Sequence, residues 1–208
     1  MHVVDDQEPI RDLVSRFLAT VGIQCVAWES PEVFLQSAAA QVIHVLVVDV
    51  RLVGMSGLEL VRQLRERGVT APAIFISGVS EVPVAVEAMK LGAHDFLSKP
   101  FTGQALIDTV QAALSRHKER EEREVQVRHA QALVGKLSPR EREVFLAIVD
   151  GKANKVVASD LGLAEKTVEE HRKHVMLKLQ ASSVPDLVKL AVLSGLCDPA
   201  RSVGTSKR

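Results

Sequence analysis

Along the first 115 residues, short apolar runs alternate with stretches whose apolar positions recur every three or four residues. This is the pattern of a parallel sheet covered by helices on both faces. Val3-Val4 precedes a segment in which Ile10, Leu13, Val14, Phe17 and Leu18 share one helical face, and Pro9 suits its first turn. Ile23 to Trp28 reads as a second strand, and Ser30-Pro31 as the N-cap and first position of a second helix. Val45 to Val48 is a continuous Val/Leu run, as expected of a central strand covered on both sides. After Gly54 and Gly57 a helix carries Leu58, Leu60, Val61 and Leu64. Ala73 to Ile76 reads as the fourth strand, Val82 to Leu91 as the fourth helix and Phe96 to Ser98 as the fifth strand, and Thr102 opens another helix. The predicted fold is α/β, a doubly wound five-stranded parallel sheet.

The segment RHKEREEREVQVR, from Arg116 to Arg128, holds no Pro or Gly that would stop the helix begun near Thr102. Continued to Val134, that helix would span about 50 Å at ~1.5 Å per residue. Its charges can pair at i, i+4, and a solvated face explains them best, because apolar heptads are missing between Leu114 and Val125. From Leu137 the pattern is wholly helical. Ser138-Pro139-Arg140-Glu141 is a capping box with Pro at the first helical position, opening a helix that ends at Asp150-Gly151. Asn154 is expected to cap a second helix reaching Leu161 and stopped by Gly162. A third runs from Glu165 to about Leu179 and a fourth from Val184 to Leu193. The domains expected are therefore 1–115, a helical linker over 116–134, and an all-α four-helix domain over 135–208.

Composition adds little until the charge is divided by domain. Of 208 residues, 47% are apolar and 25% charged, which is ordinary for globular chains and leaves room for two cores. No apolar run approaches the ~18–20 residues of a membrane span. Cys25 and Cys197 stand alone, as free thiols of a reducing cytoplasm would. The zero net charge hides a separation. Residues 1–115 carry 8 Lys and Arg against 13 Asp and Glu, residues 116–134 carry 5 against 4, and residues 135–208 carry 13 against 9. Only the last third could attract a polyanion, and so mild an excess needs a motif beside it.

Candidate chemistry converges on the carboxyl ends of the strands, where ligands bind in doubly wound sheets. Asp5-Asp6 follow the first strand, Asp49 the third, Ser77 the fourth and Lys99-Pro100 the fifth. Three carboxylates at one rim repel one another unless a cation neutralises them, and an all-oxygen site suits Mg²⁺. A carboxylate beside such an ion can attack a phosphoryl group. Lys99 would then supply positive charge, the Ser77 hydroxyl would donate a hydrogen bond, and Gly78 would leave room for the backbone to approach. A cis peptide at Pro100 would aim Lys99 into the site. Taken singly, each element has a commoner explanation: Asp-Asp is a cap, Ser-Gly a turn, Lys-Pro a loop. Their joint placement on four strand ends is what carries weight.

The stretches VVDD, VVDVRLVGMSGLEL, FISG, AMKLGAHDFLSKPF and LSPREREVFLAIVDGKANK…TVEEHRKHVMLKL resemble two-component response regulators of the NarL/FixJ type over nearly the full length. In that family a flavodoxin-like receiver precedes a LuxR-type helix-turn-helix. The resemblance implies phosphotransfer from a histidine kinase to Asp49, with Asp6, Asp49 and the Arg51 backbone carbonyl on Mg²⁺ and Asp5 assisting. It also implies that Ser77 and Phe96 form a switch pair reporting phosphorylation, although Phe96 has an ordinary packing role as well. Two departures stand out. Leu52-Val53-Gly54 replaces the usual Met-Pro-Gly, which predicts a looser loop beside Asp49, and Ser77 replaces the commoner Thr while keeping the hydroxyl.

A helix-turn-helix lays its second helix in the major groove. With Val168, Val175 and Leu179 inward, Lys166, Thr167, Glu169, Glu170 and Lys173 become candidate base contacts, and Lys152, Asn154 and Lys155 candidate phosphate contacts. Glu169 and Glu170 weaken the electrostatic case, though one could accept a hydrogen bond from cytosine N4. His171 and His174 lack companions for a metal site. The expectation is a cytoplasmic, phosphorylation-gated DNA-binding regulator rather than an enzyme. Double-stranded DNA and a histidine kinase are its partners, it pairs as a homodimer when phosphorylated, and RNA polymerase is a further candidate. Two alternatives compete with it: a Mg²⁺-dependent phosphatase working through Asp49, and a constitutive DNA binder whose first domain is a scaffold. The phosphatase needs a second acid where Arg51 stands.

Overall fold

The computed structural model describes residues 1–37, 40, 43–78 and 82–197. The last part of the expected 135–208 domain, residues 198–208, lies outside the described residues. The chain divides into two compact units, Met1–Arg120 and Glu121–Arg208.

In the first unit, β1 (His2–Val4), β2 (Val26–Trp28), β3 (Leu46–Asp49), β4 (Ala73–Ser77) and β5 (Asp95–Ser98) form one all-parallel sheet in the order β2-β1-β3-β4-β5. This is the flavodoxin-like order, with its switch point between β1 and β3. Because successive strand residues point to opposite faces, each central strand feeds two cores. Val4, Leu46, Val48 and Phe75 pack with Phe34 of α2 (Pro31–Gln36), Leu60, Val61 and Leu64 of α3 (Gly57–Glu66) and Ala88 of α4 (Val82–Lys90). Val3, Val45, Val47, Ile74 and Ile76 pack with Val14 and Leu18 of α1 (Glu8–Ala19) and with Leu106 and Val110 of α5 (Gly103–Val134). This two-sided burial is why the strands read as unbroken apolar runs.

The second strand is shorter than the expected Ile23 to Trp28. It lies at the sheet edge and, among the described residues, pairs only with β1, whose three residues offer partners to Val26, Ala27 and Trp28 alone. The expected caps hold for α2, where the Ser30 side chain accepts from the Val33 N–H, and for α5, where the Thr102 hydroxyl accepts from the Ala105 N–H. The charged segment continues α5 without a break to Val134.

The second unit adds α6 (Pro139–Val149), α7 (Asn154–Leu161), α8 (Glu165–Lys178) and α9 (Val184–Leu193) around a core of Val144, Phe145, Ile148, Val157, Val168, Val175, Leu179 and Leu187. Gly162 ends α7 in the left-handed conformation, φ 65°, which costs glycine least. Asn154 does not cap α7. It is the first helical residue, and Ala153 holds the cap position with no side-chain bond.

The capping box at Ser138 and Glu141 does more than start a helix. Glu141 is buried, accepts from the Ser138 N–H at 2.8 Å, and also accepts from Lys178 Nζ at 2.6 Å, which ties the start of α6 to the end of α8. The Lys178 ammonium and the Ser138 backbone hold the Glu141 carboxyl down at about 2, against an ordinary 4.5. A depressed carboxyl lends stability above its unfolded value and loses it as pH falls through the folded one. Glu141→Gln should therefore cost the second unit about 1–2 kcal/mol at pH 7, the lower figure allowing for the half-exposed Lys178. Urea melts should show the gap from wild type closing between pH 4.5 and about 2; a gap independent of pH would reject this origin.

Candidate phosphoacceptor site and nucleic-acid interface

Strand register sets the site. Val4 pairs with Val48 and Asp49 with Ile76, so the residues just past β1 and at the ends of β3 and β4 share one edge. Asp5 and Asp49 are buried there, 0% and 4% exposed, and Ser77 is 2% exposed. Lys99 reaches the same edge from beyond β5, where its N–H donates to the Ser77 carbonyl at 2.7 Å and the Lys99–Pro100 peptide is cis. Its Nζ donates to Asp5 Oδ2 at 2.8 Å and to Asp49 Oδ1 at 2.6 Å. The remaining carboxylate oxygens are also held: Asp49 Oδ2 accepts from the Arg51 N–H at 2.6 Å, and Asp5 Oδ1 from the Gln7 N–H at 2.9 Å. Arg11 Nη1 donates to the Asp5 carbonyl at 2.8 Å.

These contacts revise the electrostatic argument drawn from the sequence. The ammonium of Lys99 already neutralises part of the acidic rim. Burial nevertheless pushes the Asp49 carboxyl above its ordinary value, more than the Lys99 hydrogen bond pulls it down, and the Asp5 charge pushes the same way. Burial opposes the Lys99 ammonium, but its bonds to Asp49 and Asp5 outweigh that and raise its pKa. Two carboxylates face one ammonium, so excess negative charge remains. Asp6 is exposed on the turn after β1, and its oxygens do not join those of Asp5 and Asp49 in a set within 4.8 Å of one another. The donors are all hard oxygens in charge excess, which fits a divalent cation of the Mg²⁺ class.

Gly78 and Arg51 are exposed beside this edge. Phe96 is half-buried, pairs in register with Phe75, and packs against the core shared with α3 and α4.

Two further residues shape the site without having declared themselves in the sequence pattern. Glu32 of α2 accepts from the Met55 N–H at 3.1 Å, which restrains the loop where the proline is missing, while Val53 points outward and Gly54 takes φ 83°. Gly57 opens α3 against the acceptor strand. A Cβ there would lie 2.0 Å from the Asp49 carbonyl oxygen and 2.9 Å from Val48 Cγ2. The only advance signal was a glycine at the start of a helix, where propensity disfavours it.

In the second unit Val168, Val175 and Leu179 are buried, as expected. Lys166, Glu169, Glu170 and Lys173 are exposed and Thr167 is half-buried. Lys155 is exposed and Asn154 half-buried, while Lys152 Nζ is committed to Asp160 at 2.8 Å. In α9, Leu187 and Ala191 lie in the core while Val184 is exposed.

Comparison with known proteins agrees with both halves. Residues 1–111 match the response regulator receiver domain, and residues 135–191 match the bacterial regulatory proteins of the luxR family. The chain is 42% identical to the transcriptional regulatory protein FixJ of Azorhizobium caulinodans over 94% of this chain and 93% of that one. It is likewise 42% identical to nodulation protein W of Bradyrhizobium diazoefficiens over 93% and 86%. Among solved structures, the response regulator StyR superposes with a TM-score of 0.80 at 35% identity, covering 92% of this chain and 96% of that one.

Proposed function

Because the chain belongs to the response regulators that join a receiver to a LuxR-type DNA-binding domain, we propose that Asp49 is its phosphoacceptor and that the state of Asp49 governs DNA binding by α8. A protein of this family is a DNA-binding transcriptional regulator of a two-component system. The observation that supports Asp49 most directly is the Lys99 ammonium held between Asp5 and Asp49 at the carboxyl edge of the sheet.

In the proposed transfer an Asp49 oxygen attacks the phosphorus of a kinase phosphohistidine. The P–N bond breaks, and the imidazole nitrogen keeps the electron pair. Lys99 exchanges its Asp49 contact for a phosphoryl oxygen, the Ser77 hydroxyl donates to a second, and exposed Gly78 leaves the path clear. Asp5, Asp6, Asp49 and the Arg51 carbonyl would hold Mg²⁺, which when bound spreads the charge of the phosphoryl oxygens. Loss of the Lys99 contact and rotation of Ser77 and Phe96 would then carry the change to the face formed by α4 and β5.

The response is a homodimer whose two α8 helices meet paired half-sites. Lys166, Thr167, Glu169, Glu170 and Lys173 face base edges, while Lys155, Asn154 and Lys152 meet phosphates, Lys152 after leaving Asp160. RNA polymerase is a further candidate partner of the DNA-bound regulator, and the cytoplasm is the compartment where kinase and DNA are both in reach. Among the described residues no helix is long and apolar enough to cross a membrane. Intact mass after incubation with Mg²⁺ and a small acyl phosphate tests the acceptor: wild type gains one phosphoryl group, and an Asp49 variant that gained one as well would overturn the assignment.

A further inference from the structure

The exposed face of α8 carries an apolar residue that charge alone does not explain. With Val168, Val175 and Leu179 inward, a step of 100° per residue puts Lys166, Glu170, Lys173 and Leu177 on the opposite side in one stripe. Leu177 is 79% exposed, more than any other large apolar residue among those described. A lone leucine on a surface is ordinary. This one shares an open hollow with Arg172, Lys173, Met176, Gln180 and Ala181, in line with the residues assigned to base edges.

We propose that Leu177 reads a thymine, packing on its C5-methyl group in the major groove at the end of the half-site met by the last turn of α8. The inference rests on the DNA-binding role given above to α8. Two features favour DNA over a protein partner. Arg172 and Lys173 line the same hollow, so its rim attracts phosphates. One leucine and a half-buried methionine also fall far short of the ~800 Å² per partner that a stable protein interface covers. The stripe is continuous with the proposed base contacts: from Lys166 to Leu177 the helix rises about 16 Å, close to the length of five base pairs. Within the major groove the thymine methyl is the apolar group that base edges present.

The test uses the phosphorylated full-length protein. Duplexes selected from random sequence are remade with deoxyuridine at each thymidine in turn, which removes the methyl and leaves every hydrogen-bonding edge. The expected result is one position per half-site where uracil weakens wild-type binding about fourfold, the value of one buried methyl group. At that position Leu177→Ala should bind thymine and uracil alike, while Leu177→Met should keep the preference. Absence of such a position, or an undiminished preference in Leu177→Ala, overturns the proposal. So does an alanine variant that loses self-association while its thymine-to-uracil ratio is unchanged, since the hollow would then belong to a second copy of the chain. Failure to select any duplex rejects the DNA-binding role of α8 itself, and this inference with it.

Discussion

Asp49→Asn is expected to abolish phosphoryl acceptance completely while leaving the chain folded and more stable than wild type. Asparagine has the same shape but no nucleophilic oxygen, so the loss is one of chemistry rather than packing. The gain in stability follows from the sign of the Asp49 shift. Burial raises this carboxyl above its ordinary 3.8. A raised carboxyl lends stability that is complete below the unfolded value and is lost as pH climbs through the folded one. At neutral pH the wild-type chain therefore carries a buried charge that Lys99 and the Arg51 N–H relieve in part. In the variant Lys99 keeps its bond to Asp5, and no new unpaired ion is created. Thermal melts at pH 7 should place the midpoint of the first transition above that of wild type, with the gap narrowing as pH is lowered. A lower midpoint at pH 7 would show that Asp49 holds the fold together through Lys99 and would contradict the electrostatic account.

Gly57→Ala should be among the most damaging single-methyl additions in the first unit. The new carbon would lie 2.0 Å from the Asp49 carbonyl oxygen, which is backbone and part of β3, and 2.9 Å from the buried Val48 side chain. No rotamer change relieves a clash with backbone, so either α3 or the acceptor strand must move. Overpacking of this kind costs about 3 kcal/mol or more where the neighbours cannot yield. Because the moving parts carry Asp49, the phosphorylation rate should fall along with stability. Denaturant midpoints and phosphodonor kinetics on Gly57→Ala and Gly103→Ala separate the two effects. The Gly103 carbon would meet the Phe17 ring, on the face of the sheet away from α3, so it should lower stability with less effect on the rate. Equal rates for Gly57→Ala and wild type would show that β3 does not depend on this contact.

Much of the fold is legible in the chain because each central strand is buried on both faces. Val45 to Val48 had to read as an unbroken apolar run once helices covered both sides, and capping residues such as Ser30, Thr102 and Ser138 mark helix starts through local hydrogen bonds. The shortening of β2 was not legible, since it depends on how many residues β1 offers as partners. Asn154 misled for a similar reason: its side chain suits a cap, but the chain enters α7 one residue earlier. In the site, strand ends predicted the meeting of Asp5, Asp49 and Lys99. What the sequence could not show was that Lys99 bridges the two acids, that Asp6 stays out of their immediate cluster, or that Glu32 and Gly57 fix the acceptor loop. Those facts arise from contacts between segments far apart in sequence.

The coupling of Asp49 to α8 is tested most directly by the affinity of the full-length protein for a selected duplex, measured with and without the acyl phosphate, in wild type and in Asp49→Asn. Phosphorylation should tighten wild-type binding about tenfold or more, within the range of ordinary allosteric coupling, and should leave the variant at the weaker value under both conditions. Equal affinity for phosphorylated and unphosphorylated wild type would contradict it, and the receiver would then be a scaffold beside a constitutive DNA binder.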